Sequence, residues 1–229
     1  MQPTYLPWVG YFSLINIVDK FVFLDDVQFE KQSWQSRNNI LSNGQKLKLS
    51  IPIKNHKIST NINEININNS LNWRKKHLNG IIQNYSKHPF FNSIQNIIKI
   101  IADKSFVKLI DFNIEIIHEL CNILSIDFSP ILSSNFSISK KRSEKLLAIC
   151  NLLSCNTYIS PIGSKDYLES DGVLYKGNMR VLYNDYKPKS YIQKNNDGFI
   201  SHLSIIDLIA NVGPKDAKEH ILLNNLIEE

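Results

Sequence analysis

The chain has 229 residues, 43% of them hydrophobic, and a formal net charge of +5. No apolar run approaches the roughly 20 residues that span a bilayer, and no basic segment leads into an apolar one at the start. Membrane insertion and a secretory signal are therefore not expected, and a cytoplasmic location is. The lysines are scattered through helical patterns without an arginine-rich run, so no DNA binding is expected. The remaining positive charge fits either a solvated basic surface or a field that draws in a phosphorylated substrate. Three cysteines, Cys121, Cys150 and Cys155, show no CxxC spacing, and the six histidines form no HxH or HxxxH pair. No disulfide framework, metal site or particular cofactor is indicated.

In chain order, Gln2 to Pro7 reads as a proline-rich loop, followed by Gly10 and an amphipathic segment from Tyr11 to Val18. Phe21 to Leu24 is a short uninterrupted apolar run, as in a buried strand, and it stops at Asp25-Asp26. Trp34–Leu41 and Leu47–Ile53 flank Asn43-Gly44, a hairpin signal because a type I′ turn needs positive φ at both central residues. Residues 54–70 read as a polar loop and a short strand. A helix is predicted over Trp73–Tyr85 with Asn72 as N-cap, and two more over Phe91–Ala102 and Phe106–Leu124. Strands are predicted at Pro130–Ser133, Thr157–Ile159 and Val181–Tyr183, and a helix at Lys141–Leu153. A last helix opens at Ser204 and is expected to end at Gly213-Pro214. Strand–helix–strand units at both ends imply an α/β fold: a Rossmann-like, mostly parallel sheet with a β-hairpin and a central helical insertion.

Carboxylates at the carboxyl end of a buried strand stand where open α/β sheets bind ligands, which makes Asp25 and Asp26 candidates for general base or hydroxyl binding. Around them Gln2, Tyr5, Trp8, Tyr11, Gln28, Trp34, Arg37 and Asn38 supply aromatic faces, amides and one guanidinium, the ingredients of a sugar or nucleotide pocket. Arg37 is suited to a phosphate fork. A second reading stands beside this one: the aromatics belong to the core and Arg37 pairs with Asp25. His77, one turn beyond Trp73, is a candidate acid–base group or an ordinary helix residue. Gly163 and Lys165, after Pro161, resemble a phosphate-contacting turn. Asp207 lies in an apolar helix and needs a partner, either Arg37 or a backbone cluster.

The run QPTYLPWVGYFSLINIVDKFVFLDDVQFEKQSWQSRNNI resembles the WbqC-like protein family. So do NWRKKHL, YSKHPFF, TYISPIGSKDYL and LSIIDLIANVG, in that order along the chain. The resemblance implies a single domain over residues 1–229, with an α/β and hairpin part to about 70, a helical insertion over about 71–127 and an α/β part beyond. It implies a transferase that attaches an acyl or aminoacyl group to a nucleotide-linked amino sugar in O-antigen or other surface polysaccharide synthesis. The partners are then that sugar and its acyl donor, with an oligomer possible. The alternatives are a non-catalytic nucleotide-sugar-binding accessory protein and a nucleotidyltransferase-like enzyme. Family members carry a short apolar strand ahead of the Gln-Pro pair, whereas this sequence opens at Met1-Gln2. The loop–glycine–helix–strand order is also similar to the opening of HxGH-type nucleotidyltransferases. Trp8-Val9-Gly10-Tyr11 stands in place of the histidines, so that likeness supports the sheet rather than nucleotidyl transfer.

Overall fold

The structure is a computed structural model and describes residues 1–223 and 225–228. After an irregular loop comes α1 (Val9–Asn16), which starts two residues earlier than the apolar pattern indicates. Gly10 permits this start. The Trp8 ring lies over it so closely that a Cβ there would stand 2.4 Å from a ring carbon. Strand β1 (Val22–Phe23) follows, then β2 (Arg37–Ser42) and β3 (Gln45–Ser50). Asn43 and Gly44 between them adopt φ of 48° and 72°, the two left-handed residues of the expected turn. The helices α2 (Trp73–Tyr85), α3 (Gln95–Ala102) and α4 (Leu109–Ile123) form the middle of the chain. Asn72 precedes α2, but its side chain makes no capping hydrogen bond.

Beyond them run β4 (Ile131–Leu132), α5 (Arg142–Leu152), β5 (Thr157–Pro161), α6 (Lys165–Asp171), α7 (Val173–Lys176) and β6 (Arg180–Asn184). The chain closes with α8 (Ile205–Ile221) and β7 (Leu226–Glu228). This is a mixed α/β protein. Where the sequence indicates one mostly parallel sheet, the described residues form three small ones. β1 pairs in parallel with β4, β2 and β3 make the antiparallel hairpin, and β5 pairs in parallel with β6, which carries β7 antiparallel. Residues of the β1 segment and of β5 line one groove between the two parallel pairs. Among the described residues no helix is long and apolar enough to cross a membrane.

Burial divides likewise. A large core joins the first loop, α1, the hairpin, α2 to α4 and α8. A smaller one gathers Leu146, Cys150, Leu168, Leu174, Met179, Val181 and Tyr183, with Leu24 at the end of β1 packed against it.

The last helix overrides its expected end. Gly213 takes φ 86° and ψ 166°, a conformation open essentially to glycine alone, and Pro214 then starts a second helical stretch that reaches Ile221. The break has a packing cause: the Phe90 ring occupies the space where a Cβ of residue 213 would stand, 2.8 Å away. Gly213→Ala combines backbone strain with overpacking and should cost about 2–5 kcal/mol. Urea unfolding checks this, and a change below about 0.5 kcal/mol would contradict the assignment.

Candidate functional site

β1 ends in a polar cluster built from both halves of the chain. Asp25 is buried and accepts hydrogen bonds from the Ser134 backbone N–H (2.9 Å), the Ser133 hydroxyl (3.1 Å) and the Asn63 amide (3.4 Å). Asp26, next to it, accepts a short hydrogen bond from the same Ser133 hydroxyl and pairs with Lys145 Nζ at 2.6 Å. Lys145 is nearly buried, whereas the Asp26 side chain keeps 18% of its exposure and is the face of the cluster that meets solvent. Partial burial alone would raise the Asp26 pKa. The hydrogen bonds from Lys145 and Ser133 outweigh it, and the carboxyl is held below its ordinary value. Asp26 is therefore a fixed anion at neutral pH, suited to holding an ammonium or hydroxyl groups and poorly suited to accepting a proton.

Parallel pairing explains the position. β4 delivers Ser133 at its carboxyl end beside Asp25 and Asp26, and α5 follows with Lys145 on its buried side. Met1 is hydrogen bonded alongside β1 in the same direction, so Gln2 and Pro3 leave at the same end as the two carboxylates. Gln2 Oε1 accepts from Gln35 Nε2 at 3.2 Å, and Asn113 on α4 donates to the Gln35 carbonyl at 2.8 Å and the Pro3 carbonyl at 3.4 Å. Gln35 sits two residues before Arg37, which makes no ion pair among the described residues. Arg37 therefore does not pair with Asp25.

The loop is locked. Asn38, buried on β2, donates from Nδ2 to the carbonyls of Leu6 (2.6 Å) and Tyr5 (3.2 Å). Leu6 is fully buried with φ 43°, a conformation L residues rarely adopt, just before Pro7. Tyr5 is buried beneath it, its hydroxyl 2.8 Å from His77 Nδ1. His77 Nε2 lies 3.2 Å from the Ser50 carbonyl, which only accepts, so Nε2 carries the proton and Nδ1 accepts from Tyr5. Burial and the nearby Arg74 charge lower the His77 pKa to about 4 against the bond to Ser50, and the ring is neutral at physiological pH. Both ring nitrogens are engaged, so His77 serves as a buried prop for the loop.

The remaining predicted residues separate. Tyr11 is core, and its hydroxyl donates to the Gln2 carbonyl at 3.0 Å. Trp8 stacks on His202 with centroids 4.8 Å apart and meets Tyr186 edge-on. Trp34 is 55% exposed, and Gln28 is exposed as well. The aromatic residues therefore do not converge on one pocket. Gly163 is exposed in a 3-10 turn, nothing lies within 4 Å of its missing Cβ, and Lys165 is engaged with Glu169 at 3.3 Å. Asp207 finds neither Arg37 nor a backbone cluster. It accepts from Tyr85 (2.7 Å), Tyr191 (2.5 Å) and Gln193 (3.0 Å) in a closed, buried hub. Sequence reasoning missed Ser133, Lys145, Asn63, Gln35 and Asn113. Of these only Lys145 carried a signal, since it stands one position before Leu146 and four before Ile149 on the apolar side of its helix. Among the described residues, no group of three or more His, Cys, Asp or Glu is placed to hold a metal ion.

The WbqC-like protein family matches residues 2–219. The chain belongs to that family. It is also similar to a protein of Mycobacterium tuberculosis, the uncharacterized protein Rv1507c, at 27% identity over 215 residues, covering 93% of this chain and 92% of that one. No solved structure matches. In this WbqC-like chain the matched residues include both the carboxylates at the end of β1 and the locked loop beside them.

The neutral His77 has a pH signature. Its folded pKa of about 4 lies below the ordinary 6.5, so the unfolded state takes up a proton first. The stability due to this group is complete above pH 6.5 and falls as the pH drops from 6.5 to about 4, by about 3 kcal/mol. His77→Gln should flatten that part of the stability profile measured by urea unfolding. An unchanged slope would show that the imidazole is not held neutral.

Proposed function

We propose that the protein binds a nucleotide-linked amino sugar at the carboxyl end of β1 and β4 and attaches an acyl or aminoacyl group to the sugar amine. The reaction belongs to cytoplasmic synthesis of a surface polysaccharide such as an O-antigen. The observation that carries this reading is the Asp26–Lys145 pair, seated with Ser133 at the carboxyl end of a parallel strand pair, where α/β folds place ligands. Asp26 offers a permanent anion to the amine and neighbouring hydroxyls of the sugar. Arg37, half-buried and without an ion-pair partner among the described residues, is the cation available for the diphosphate. In the transfer itself, the neutral amine attacks the donor carbonyl. A carbon–nitrogen bond forms, the bond to the leaving group breaks, and the amine proton departs with the leaving group or to water.

A second reading draws on a specific feature of the site. None of the three candidate bases is free: Asp25 is buried and accepts from the Ser134 N–H and the Asn63 amide, Asp26 is ion-paired, and both His77 nitrogens are engaged. This arrangement favours binding without turnover, as in an accessory protein that presents the sugar to another enzyme.

Calorimetric titration with UDP- and dTDP-linked amino sugars tests the shared part of both readings. Asp26→Asn, which keeps the shape and removes the charge, should weaken binding about 10- to 100-fold, the value of a hydrogen bond to a charged group. Equal affinity in the variant would remove Asp26 from the site. Mass spectrometry of the sugar after incubation with acyl-coenzyme A thioesters or activated amino acids then separates the two. An acylated sugar supports transfer, and binding without a mass change supports the accessory role.

A further inference from the structure

The outer face of the β2–β3 hairpin carries positive charge that the fold does not use. Ile40, Leu47 and Leu49 face α2 at Gly80. Side chains alternate along a strand and directly opposed residues share a face. Arg37, Asn39 and Leu41 of β2 therefore turn the other way, together with Ser50, Lys48 and Lys46 opposite them on β3. Neither strand has an acidic residue, and Arg37, Lys46 and Lys48 make no ion pair among the described residues. Lys46 and Lys48 are two residues apart on one face, about 7 Å, and Arg37 is diagonal to Lys48. Lysines on an edge strand also guard a sheet against aggregation. Arg37 has no such use, because the other edge of β2 is taken by Ser204, whose N–H donates to the Asn39 carbonyl at 2.8 Å.

A flat platform closes the far end of this strip. Trp8 forms a bridge with Ser204, so the end of the first loop lies next to the segment that leads into α8. In that segment the exposed His202 ring stacks on the half-buried Trp8 ring, with 27° between their planes. His202 adopts φ 60°, and backbone strain of this kind gathers at ligand sites. Desolvation first, and then the charge of Lys46, lower the His202 pKa, which places Lys46 at the platform and leaves the imidazole neutral at physiological pH. The first loop follows β2 in one direction: Gln2 bonds to Gln35, Leu6 to Asn38, and Trp8 meets Ser204 at Asn39. From the Gln2 end, beside the carboxylates, the strip therefore offers Arg37, then Lys48, then Lys46 with the His202–Trp8 platform.

We infer that the outer face of the hairpin seats a nucleoside diphosphate, with its phosphates on Arg37 and Lys48 and its base on His202 where that ring stacks on Trp8. The inference rests on the nucleotide-linked sugar proposed above and assigns the nucleotide half of it, with the sugar extending toward the Gln2 end and Asp26. Long cations two residues apart hold a diphosphate from one side, and a stacked pair of rings receives a base through its π-face.

Titration calorimetry with UDP, which has no sugar to meet Asp26, separates this site from the sugar site. Lys48→Ala should weaken UDP and inorganic pyrophosphate alike, by about 10- to 100-fold, as for a lost hydrogen bond between charged groups. His202→Gly, which also relieves the positive φ, should weaken UDP by about 5-fold or more and leave pyrophosphate unchanged. Both positions are exposed, and a retained melting temperature verifies that the variants fold. Asp26→Asn should leave UDP affinity as it is. Unchanged UDP affinity in both hairpin-face variants, or no UDP binding at millimolar concentration, would overturn the inference. So would equal losses of UDP and pyrophosphate in His202→Gly, which would mean an anion patch without a base platform. A nucleotide-linked amino sugar that depends on Asp26 while UDP ignores Lys48 and His202 would overturn this inference alone. UDP that depends on Lys48 and His202, with the linked sugar indifferent to Asp26→Asn, would support it and overturn the sugar site instead.

Discussion

The arrangement of this protein turns on two adjacent carboxylates that cannot both sit at the end of a buried strand without partners. Burying an uncompensated charge costs several kcal/mol, so Asp25 and Asp26 oblige the chain to bring donors to them. It does so from more than a hundred residues away. Ser133 lies between both carboxylates, the Ser134 N–H caps Asp25, and Lys145 pairs with the Asp26 anion. Each donor has a structural consequence. The Ser133 contacts hold β4 parallel to β1, and the Lys145 contact seats α5, whose Leu146 and Cys150 belong to the second core. One electrostatic requirement therefore links the two ends of the chain and makes an anion at a strand terminus.

The loop beside these carboxylates is held by a different kind of constraint. Asn38 grips two successive carbonyls, Tyr5 leans on a neutral His77, and Gln35 and Asn113 tie Gln2 and Pro3 to the turn before β2 and to α4. A buried leucine with positive φ survives in the middle of it. Strain of that kind persists only where the surroundings over-determine the backbone, and it gathers at ligand sites. Rigid placement of Gln2 and Pro3 next to a fixed anion matches what a polar substrate needs, because little ordering is left to the moment of binding.

Local chemistry was legible in the sequence. Asn43-Gly44 announced its hairpin through the positive φ it requires, the apolar spacing of Trp73–Tyr85 gave a helix with those bounds, and the stop at Asp25-Asp26 marked the end of a buried strand. What escaped was non-local. Nothing near Ser133 or Asn63 in the sequence says that a carboxylate will lie beside it, because pairing of β1 with β4 is a tertiary fact. Aromatic density likewise did not distinguish a pocket from packing: Tyr11 went to the core, Trp8 to a stack with His202 and Trp34 to the surface. Gly213-Pro214 carried a true stop signal, yet proline also begins helices, and the chain resumed one.

The proposed substrate site is the end of β1, against Asp26. A crystal structure of the protein with a nucleotide-linked amino sugar tests it most directly. Density for the sugar should lie within hydrogen-bond distance of the Asp26 carboxylate, with the loop from Gln2 to Pro7 unmoved. Density for the sugar over the Trp8–His202 stack or the exposed Trp34, with Asp26 untouched, would contradict it.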